Sequence, residues 1–434
     1  QSVWAAEVDF LPRTLWLVPE GEAPVRLKLA RWPNWETSEP NDLMAEWPTW
    51  DQPQWWKQGL NQTTIGKNTK HVGIADSLPR PLEDLIGGTV WTEWGIVMGS
   101  PYPAEIEGVA EVEQGQRTYR GIAFRGPWTY DALERIITGN RYYLEDLPQF
   151  LDEPGEFWVE KTGSNRGRIY LRLPGEADPN DAVIEAGRHH NFFAGERFAH
   201  IHWTGLTFRF GNVRWRYDHP RWMHDQTIAA IRLTGSGDGV VIAHNTFEHL
   251  PMPIRISVGS PEQSIGHVTI TDNRMRHSDH GAVIVENATP RNSSAMGHLG
   301  HVDFLRNRLD HIGMRIISGE HGHAVDIRYP DTSHVAGNLL HRVAGWGLAV
   351  FGGKPSGRGG IDAPLSRHLI HHNRVEDVLL KSNDWGGVET WQGGSHYVFN
   401  NVVINALGFK HWIHAQGKED RPSSFGHAYY MDGS

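Results

Sequence analysis

Three carboxylates stand where glycine and tryptophan also concentrate: Asp384 in Ser382-Asn-Asp-Trp-Gly-Gly387, Glu389 in Gly387-Val-Glu-Thr-Trp391, and Asp432 in His427-Ala-Tyr-Tyr-Met-Asp432. Two carboxylates held together can divide the work of breaking a glycosidic bond. One protonates the leaving oxygen, and the other acts as nucleophile or as base for water. Trp385 and Trp391 would offer flat apolar faces to a sugar ring. The two glycines after Trp385 let the backbone turn sharply and let a substrate come close. An aspartate in such a context also ends many ordinary turns, so Asp384 draws its interest from these neighbours.

Two histidine-rich segments are the next candidates, His277-Ser-Asp-His280-Gly and Glu320-His-Gly-His323-Ala-Val-Asp326. Neither spacing matches a zinc signature such as His-Glu-Xaa-Xaa-His, so His280, His323 and Asp326 are expected to line a sugar cleft. No metal and no other cofactor is expected. Lys354, in Gly352-Gly-Lys-Pro-Ser-Gly-Arg358, is a further substrate contact. With Arg358 and Lys381 it also supports a rival reading, a polysaccharide lyase that removes a proton beside a uronate carboxylate. A chain whose candidate residues are carboxylates and tryptophans is a poor host for an anionic polymer. A third reading, a carbohydrate-binding solenoid without catalysis, needs the aromatic residues alone, and fold does not exclude it.

The elements that must position these residues announce themselves by repetition. Six rungs run Val241-Ile-Ala-His-Asn245-Thr-Phe247, Ile270-Thr-Asp-Asn273-Arg-Met275, Phe304-Leu-Arg-Asn307-Arg-Leu309, Val335-Ala-Gly-Asn338-Leu-Leu340, Leu369-Ile-His-His-Asn373-Arg-Val375 and Val398-Phe-Asn-Asn401-Val-Val403. The Asn-to-Asn steps are 28, 34, 31, 35 and 28 residues. Helical repeats of that length would space apolar residues over a dozen positions, whereas these segments are short, alternating and β-branched. The pattern predicts an all-β right-handed parallel β-helix, with an Asn at the same corner of each coil. Gly205-Leu-Thr-Phe208 reads as an earlier rung. In such a fold function comes from a ladder of side chains on successive coils, here Gly281 to Glu286, His323 to Asp326, Gly347 to Phe351, Gly387 to Trp391 and His427 to Asp432. If the polar stretch from Leu407 to Gly426 is a loop excursion, Asp384 and Asp432 lie on adjacent coils.

Residues 1–190 carry no such rung and are expected to form a β-rich accessory and cap region over the N-terminal end of the solenoid, which occupies residues 191–434. Arg13-Thr-Leu-Trp-Leu-Val18 and Gly88-Thr-Val-Trp91 read as strands, and the stretch from Glu46 to Trp56 as an irregular loop. A helix is expected at about Asp146 to Leu151, then a hairpin of Gly155-Glu-Phe-Trp-Val159 with Arg168-Ile-Tyr-Leu-Arg-Leu173. Arg31, Trp32 and the hairpin near Trp158 fall outside the rungs and are assigned to this layer. The final strand, Ala428-Tyr-Tyr-Met431, ends on a coil that would expose a stacked edge, which points to truncation at the C-terminus.

Composition narrows the partners. The 434 residues carry a net charge of −10 with no Lys/Arg-rich run, which argues against nucleic acid and anionic membrane surfaces. No apolar run approaches 18 residues, so no membrane-spanning helix is expected. Cysteine is absent, which excludes disulfides, thiolate metal sites and a cysteine nucleophile. The 19 Trp and 26 His suit sugar rings, although many would serve as core and coil-corner residues in any case.

Several segments together resemble a known group. Ala30-Arg-Trp-Pro-Asn-Trp35, Gly139-Asn-Arg-Tyr-Tyr-Leu-Glu-Asp146, Leu151-Asp-Glu-Pro-Gly-Glu-Phe-Trp158, Gly205-Leu-Thr-Phe208, Asp384-Trp-Gly-Gly-Val-Glu-Thr-Trp391 and Ala428-Tyr-Tyr-Met-Asp-Gly433 resemble, in order, the β-helix glycoside hydrolases that include the α-L-fucosidase/xylanase family, family 141. The resemblance spans nearly the whole chain. It implies a secreted or periplasmic hydrolase of plant or microbial polysaccharide or oligosaccharide.

Overall fold

The structure, a computed structural model, describes residues 2–36, 39–51, 70–93, 101–125, 136, 138–214, 227–289, 296–315, 322–352, 366–391, 394–408 and 424–432. From Phe193 onward the chain lays down three short strands per turn, and each pairs in parallel with the strand one turn later. The first sheet stacks Ile254–Val258, Val283–Asn287, Val325–Arg328, Leu348–Phe351, Trp385–Trp391 and Gly426–Asp432. The second stacks Ser264–Thr271, His298–Leu305, Thr332–Ala336, Arg367–His371 and Ser395–Phe399. The third runs from Thr207–Arg209 through Thr246–Leu250, Arg274–Ser278, Arg308–Ile312, Leu339–Val343 and Arg374–Glu376 to Val402–Ile404. The long strand Ile231–Asp238 joins the first two sheets by pairing with a member of each.

Alternation along each strand sends one set of apolar side chains inward, and register stacks them into columns. Phe247, Met275, Leu309, Leu340 and Val375 form one such column, all fully buried, with Phe208 stacked on Phe247. Val283, Val325, Leu348 and Val388 form another.

The corner asparagines do what the spacing requires. The Oδ1 of Asn307 accepts from the backbone N–H of Asn273 at 3.0 Å and from its Nδ2 at 3.0 Å, while Asn307 Nδ2 donates to the carbonyl of Ile270 at 2.9 Å. The same exchange links Asn245, Asn338, Asn373 and Asn401 along the stack. Each Asn follows a residue in the left-handed region, namely His244, Asp272, Arg306, Gly337, His372 and Asn400. In the first coil Gly205 takes that position at φ 69°, and Leu206 stands where later coils have Asn. A second left-handed column, Phe210, His249, His277, His311, Arg342, Asp377 and Asn405, ends the third sheet. Many histidines are therefore corner residues, and the rings of His249, His277 and His311 stack at 5.0 and 5.1 Å.

The N-terminal region forms two six-stranded sheets, each over its own apolar cluster. Arg31 and Trp32 pair with Glu145 and Leu144 in one of them, and the hairpin that pairs Phe157 with Leu171 belongs to the other. The helix expected at Asp146 to Leu151 is a single 3-10 turn, Pro148–Phe150, because one proline-led turn is too short to propagate an α-helix. In the stretch from Glu46 to Trp56, Trp47 and Trp50 are buried, and the later residues lie outside the described ones. Among the described residues the region contacts the flank of the coils at the second left-handed column. Trp16 packs on Phe210 and His249, Arg26 pairs with Asp279, and the Leu43 N–H reaches the Leu380 carbonyl three coils beyond Asp279.

Candidate active site

Outward positions of the first sheet form two parallel columns. One reads Arg255, Ile284, Asp326, Ala349, Glu389, Tyr430, and its neighbour Ser257, Glu286, Arg328, Phe351, Trp391, Asp432. The early coils neutralise their own charges. Arg255 holds Glu286 at 2.8 Å, and Arg328 Nε lies 2.8 Å from each Asp326 oxygen. Asp326 is fully buried in that ion pair.

The later coils are different. Arg328 covers the Phe351 ring, Trp391 meets Phe351 edge-on at 5.1 Å, and Asp432 follows Trp391 in register. Glu389 is 1% exposed, and its Oε2 accepts from the Gly386 N–H at 3.0 Å. Burial pushes its carboxyl well above the ordinary range. Asp432, Asp326 and Asp384 push the same way, and only the Gly386 N–H opposes them strongly. The affinity of Glu389 for a proton is therefore raised above that of an ordinary carboxylate.

Asp384 sits at φ 64°, strained for a residue with a Cβ, and its N–H is anchored on the Phe425 carbonyl at 2.5 Å. Tyr430 donates its hydroxyl to Asp384 Oδ1 at 3.3 Å. Beside Asp384, Trp385 meets Trp346 edge-on at 4.7 Å and His323 at 5.6 Å, while His323 stacks on Trp346 and accepts the Trp346 N–H. His427 stacks on Tyr430 at 4.4 Å.

Asp384, Glu389, Asp432, Trp385, Trp391 and His323 thus fall in one neighbourhood on the last coils. His280 lies buried at a corner one coil before His323, where its N–H bonds the Pro251 carbonyl. Lys354 and Arg358 are outside the described residues, as are Glu320 and most of the stretch from Leu407 to Gly426. Asp384 and Asp432 are on adjacent coils, but the register places Asp432 opposite Trp391, seven residues along from Asp384. Their separation is therefore not one coil spacing.

A second chemically dense place opens where the N-terminal region meets the second left-handed column. This cavity of 460 Å³ is lined by Arg26, Arg31, Trp35, Tyr143, Glu145 and Asp279, among others. Asp279 takes a bidentate grip from Arg26, Arg315 holds Glu145 at 3.0 Å, and the Trp91 indole donates to the other Glu145 oxygen. Burial raises the Glu145 carboxyl, and Arg315 is the strongest force against that. Asp279 stood inside the histidine segment and Glu145 inside a family-like motif, but only the docking of the two regions reveals that they share a cavity. Tyr430 and Trp346 also escaped sequence reasoning, since an aromatic residue in an apolar strand reads as core.

No family model and no curated protein matches the sequence. The backbone does overlay on a solved structure described as a glycoside hydrolase. The TM-score is 0.60 over 99% of this chain and 79% of that one, at 13% sequence identity. The two share a fold. A catalytic domain of a family 87 alpha-1,3-glucanase, solved with tetrasaccharides, aligns at 10% identity over 98% of this chain and 81% of its own, with a TM-score of 0.22, too low to inform the fold.

Proposed function

We propose that this chain is a glycoside hydrolase of the right-handed parallel β-helix type, related to the α-L-fucosidase/xylanase family, and that it cleaves plant or microbial polysaccharide or oligosaccharide outside the cytoplasm. The coils to about residue 434 carry the chemistry, and residues 1–190 form the accessory layer. The right-handed winding rests on the general rule that parallel strands of one sheet are joined by right-handed crossovers in about 98% of cases. Glu389 is the general acid, Asp384 the nucleophile or base, and Asp432 a further carboxylate on the sugar. Trp385 and Trp391 stack on the rings.

The observation that carries this reading is the buried Glu389, its proton affinity raised by burial, set among Asp384, Asp432 and two tryptophans. Carboxyl groups whose surroundings drive their proton affinities apart are what acid-assisted glycoside cleavage needs. The cavity at Glu145 and Asp279 supports a second reading of the place, with the class unchanged. It holds two carboxylates, and its basic side chains, Arg26, Lys28, Arg31, Arg276 and Arg315, would favour an acidic sugar there.

A panel of neutral and acidic polysaccharides tests the class, with new reducing ends and unsaturated uronates followed together. Reducing ends without unsaturation support hydrolysis. Unsaturated products would replace it by a lyase, and saturable binding with neither product by a binding module.

A further inference from the structure

The second sheet carries a cluster that the reading above does not use. Its outward positions form a staggered cluster over three strands: His267 is the register partner of His301, and Asp303 the register partner of His334. His301 and Asp303 are two apart on one strand and so share a face. The Asp303 carboxylate lies at the centre, with His267 Nε2 at 2.8 Å from one oxygen and His301 Nε2 at 3.1 Å from the other. His334 Nδ1 stands 3.8 Å from Asp303.

We propose that His267, His301 and Asp303, with His334 as fourth ligand, bind one divalent transition-metal ion of the Zn²⁺ type. The donor atoms of the first three all lie within 4.8 Å of one another. A tetrahedral ion with bonds of roughly 2.0–2.1 Å sets its ligand atoms about 3.3 Å apart, so small rotations of these side chains would close the shell. Imidazole with a single carboxylate suits zinc, nickel or copper and not the oxygen-seeking calcium or magnesium. The partners behind the donors are also present. The Thr332 hydroxyl meets His301 Nδ1 at 2.7 Å and orients the ring, and His371 meets His334 at 2.9 Å. The His267 side chain is about half exposed, which leaves an entry path.

The site is on a different sheet from Asp384 and Glu389, and its ligands come from three successive coils. Bound metal would therefore clamp coils together and take no part in chemistry at those carboxylates. The proposal stands whether or not the chain is a hydrolase.

The test is calorimetric titration of Zn²⁺ into chelator-treated full-length protein, with Co²⁺ in parallel to report tetrahedral coordination by its visible absorption. One equivalent is expected to bind and to raise the melting temperature. Removing a supporting partner behind a ligand weakens metal binding by roughly ten- to a hundredfold, so losing a ligand in His301→Ala or Asp303→Asn should weaken it by at least about a hundredfold. His298→Ala, whose ring sits on Asp331 elsewhere on the sheet, should leave binding unchanged. Circular dichroism checks that each variant folds, and Asp303→Asn preserves shape. The proposal is overturned by the absence of saturable binding to the wild type, by full binding in both ligand variants, or by an equal loss in His298→Ala.

Discussion

Two of the places in this molecule that bury carboxylates surround them in opposite ways. At the seam between the N-terminal region and the coils, Asp279 is gripped by Arg26 and Glu145 by Arg315. On the last coils Glu389 faces three more carboxylates, and its strongest support is one backbone N–H. A buried carboxylate with a cation beside it is held in an ion pair, and losing that partner weakens the fold. A buried carboxyl without one has its affinity for a proton raised. Burial alone does not distinguish a structural acid from a catalytic one, but the partner does.

The largest effect that could break this contrast is on turnover. Glu389→Gln keeps shape and the Gly386 N–H bond but cannot protonate a leaving oxygen. General acid help is worth roughly 10² to 10⁴ in rate, so reducing-sugar release should fall by that much with the circular dichroism spectrum unchanged. Asp384→Asn should lose at least about a hundredfold as well. Wild-type turnover in both variants would move the chemistry away from the last coils.

The next effect belongs to the seam. Arg315→Met leaves Glu145 buried without its cation, and breaking a buried pair in this way costs about 3–5 kcal/mol. The midpoint of urea unfolding should fall accordingly, while turnover per folded molecule stays within about twofold. A loss of activity that rivals Glu389→Gln, with stability intact, would instead make the seam the active site.

Tyr430→Phe sharpens the contrast at smaller scale. One hydroxyl on Asp384 contributes on the order of 1 kcal/mol, so turnover should drop by no more than about tenfold, with its pH profile displaced. An effect as large as that of Asp384→Asn would make Tyr430 itself a reacting group.

Much of this was readable from the chain. The Asn rungs announced parallel coils because a buried amide that bonds the next coil can only recur at a fixed corner, and Asp384, Glu389 and the two tryptophans marked one neighbourhood. What the sequence hid depends on the outward register of strands and on docking. Asp326 looks like Glu389 in sequence, a carboxylate within an apolar strand, yet Arg328 two residues later turns back to neutralise it. The seam joins Asp279 to Arg26 across 253 residues, which no local pattern encodes. The metal-type array on the second sheet is equally dispersed, since His267, His301 and His334 lie on three different coils.

The smallest effect expected is also the one that most directly reads the proton on Glu389. A carboxyl whose folded-state affinity for its proton is raised contributes stability fully below its unfolded value, near 4.5, and loses it as pH rises through the folded value. Glutamine cannot ionise, so Glu389→Gln is spared that loss. The melting temperatures of wild type and variant should coincide near pH 4 and separate as pH rises, with the variant the more stable by a margin that grows above neutrality. If Glu389→Gln were instead the less stable protein at high pH, the Glu389 side chain would be an anion in the folded state. It would then be the base or nucleophile, and the roles of Glu389 and Asp384 would exchange.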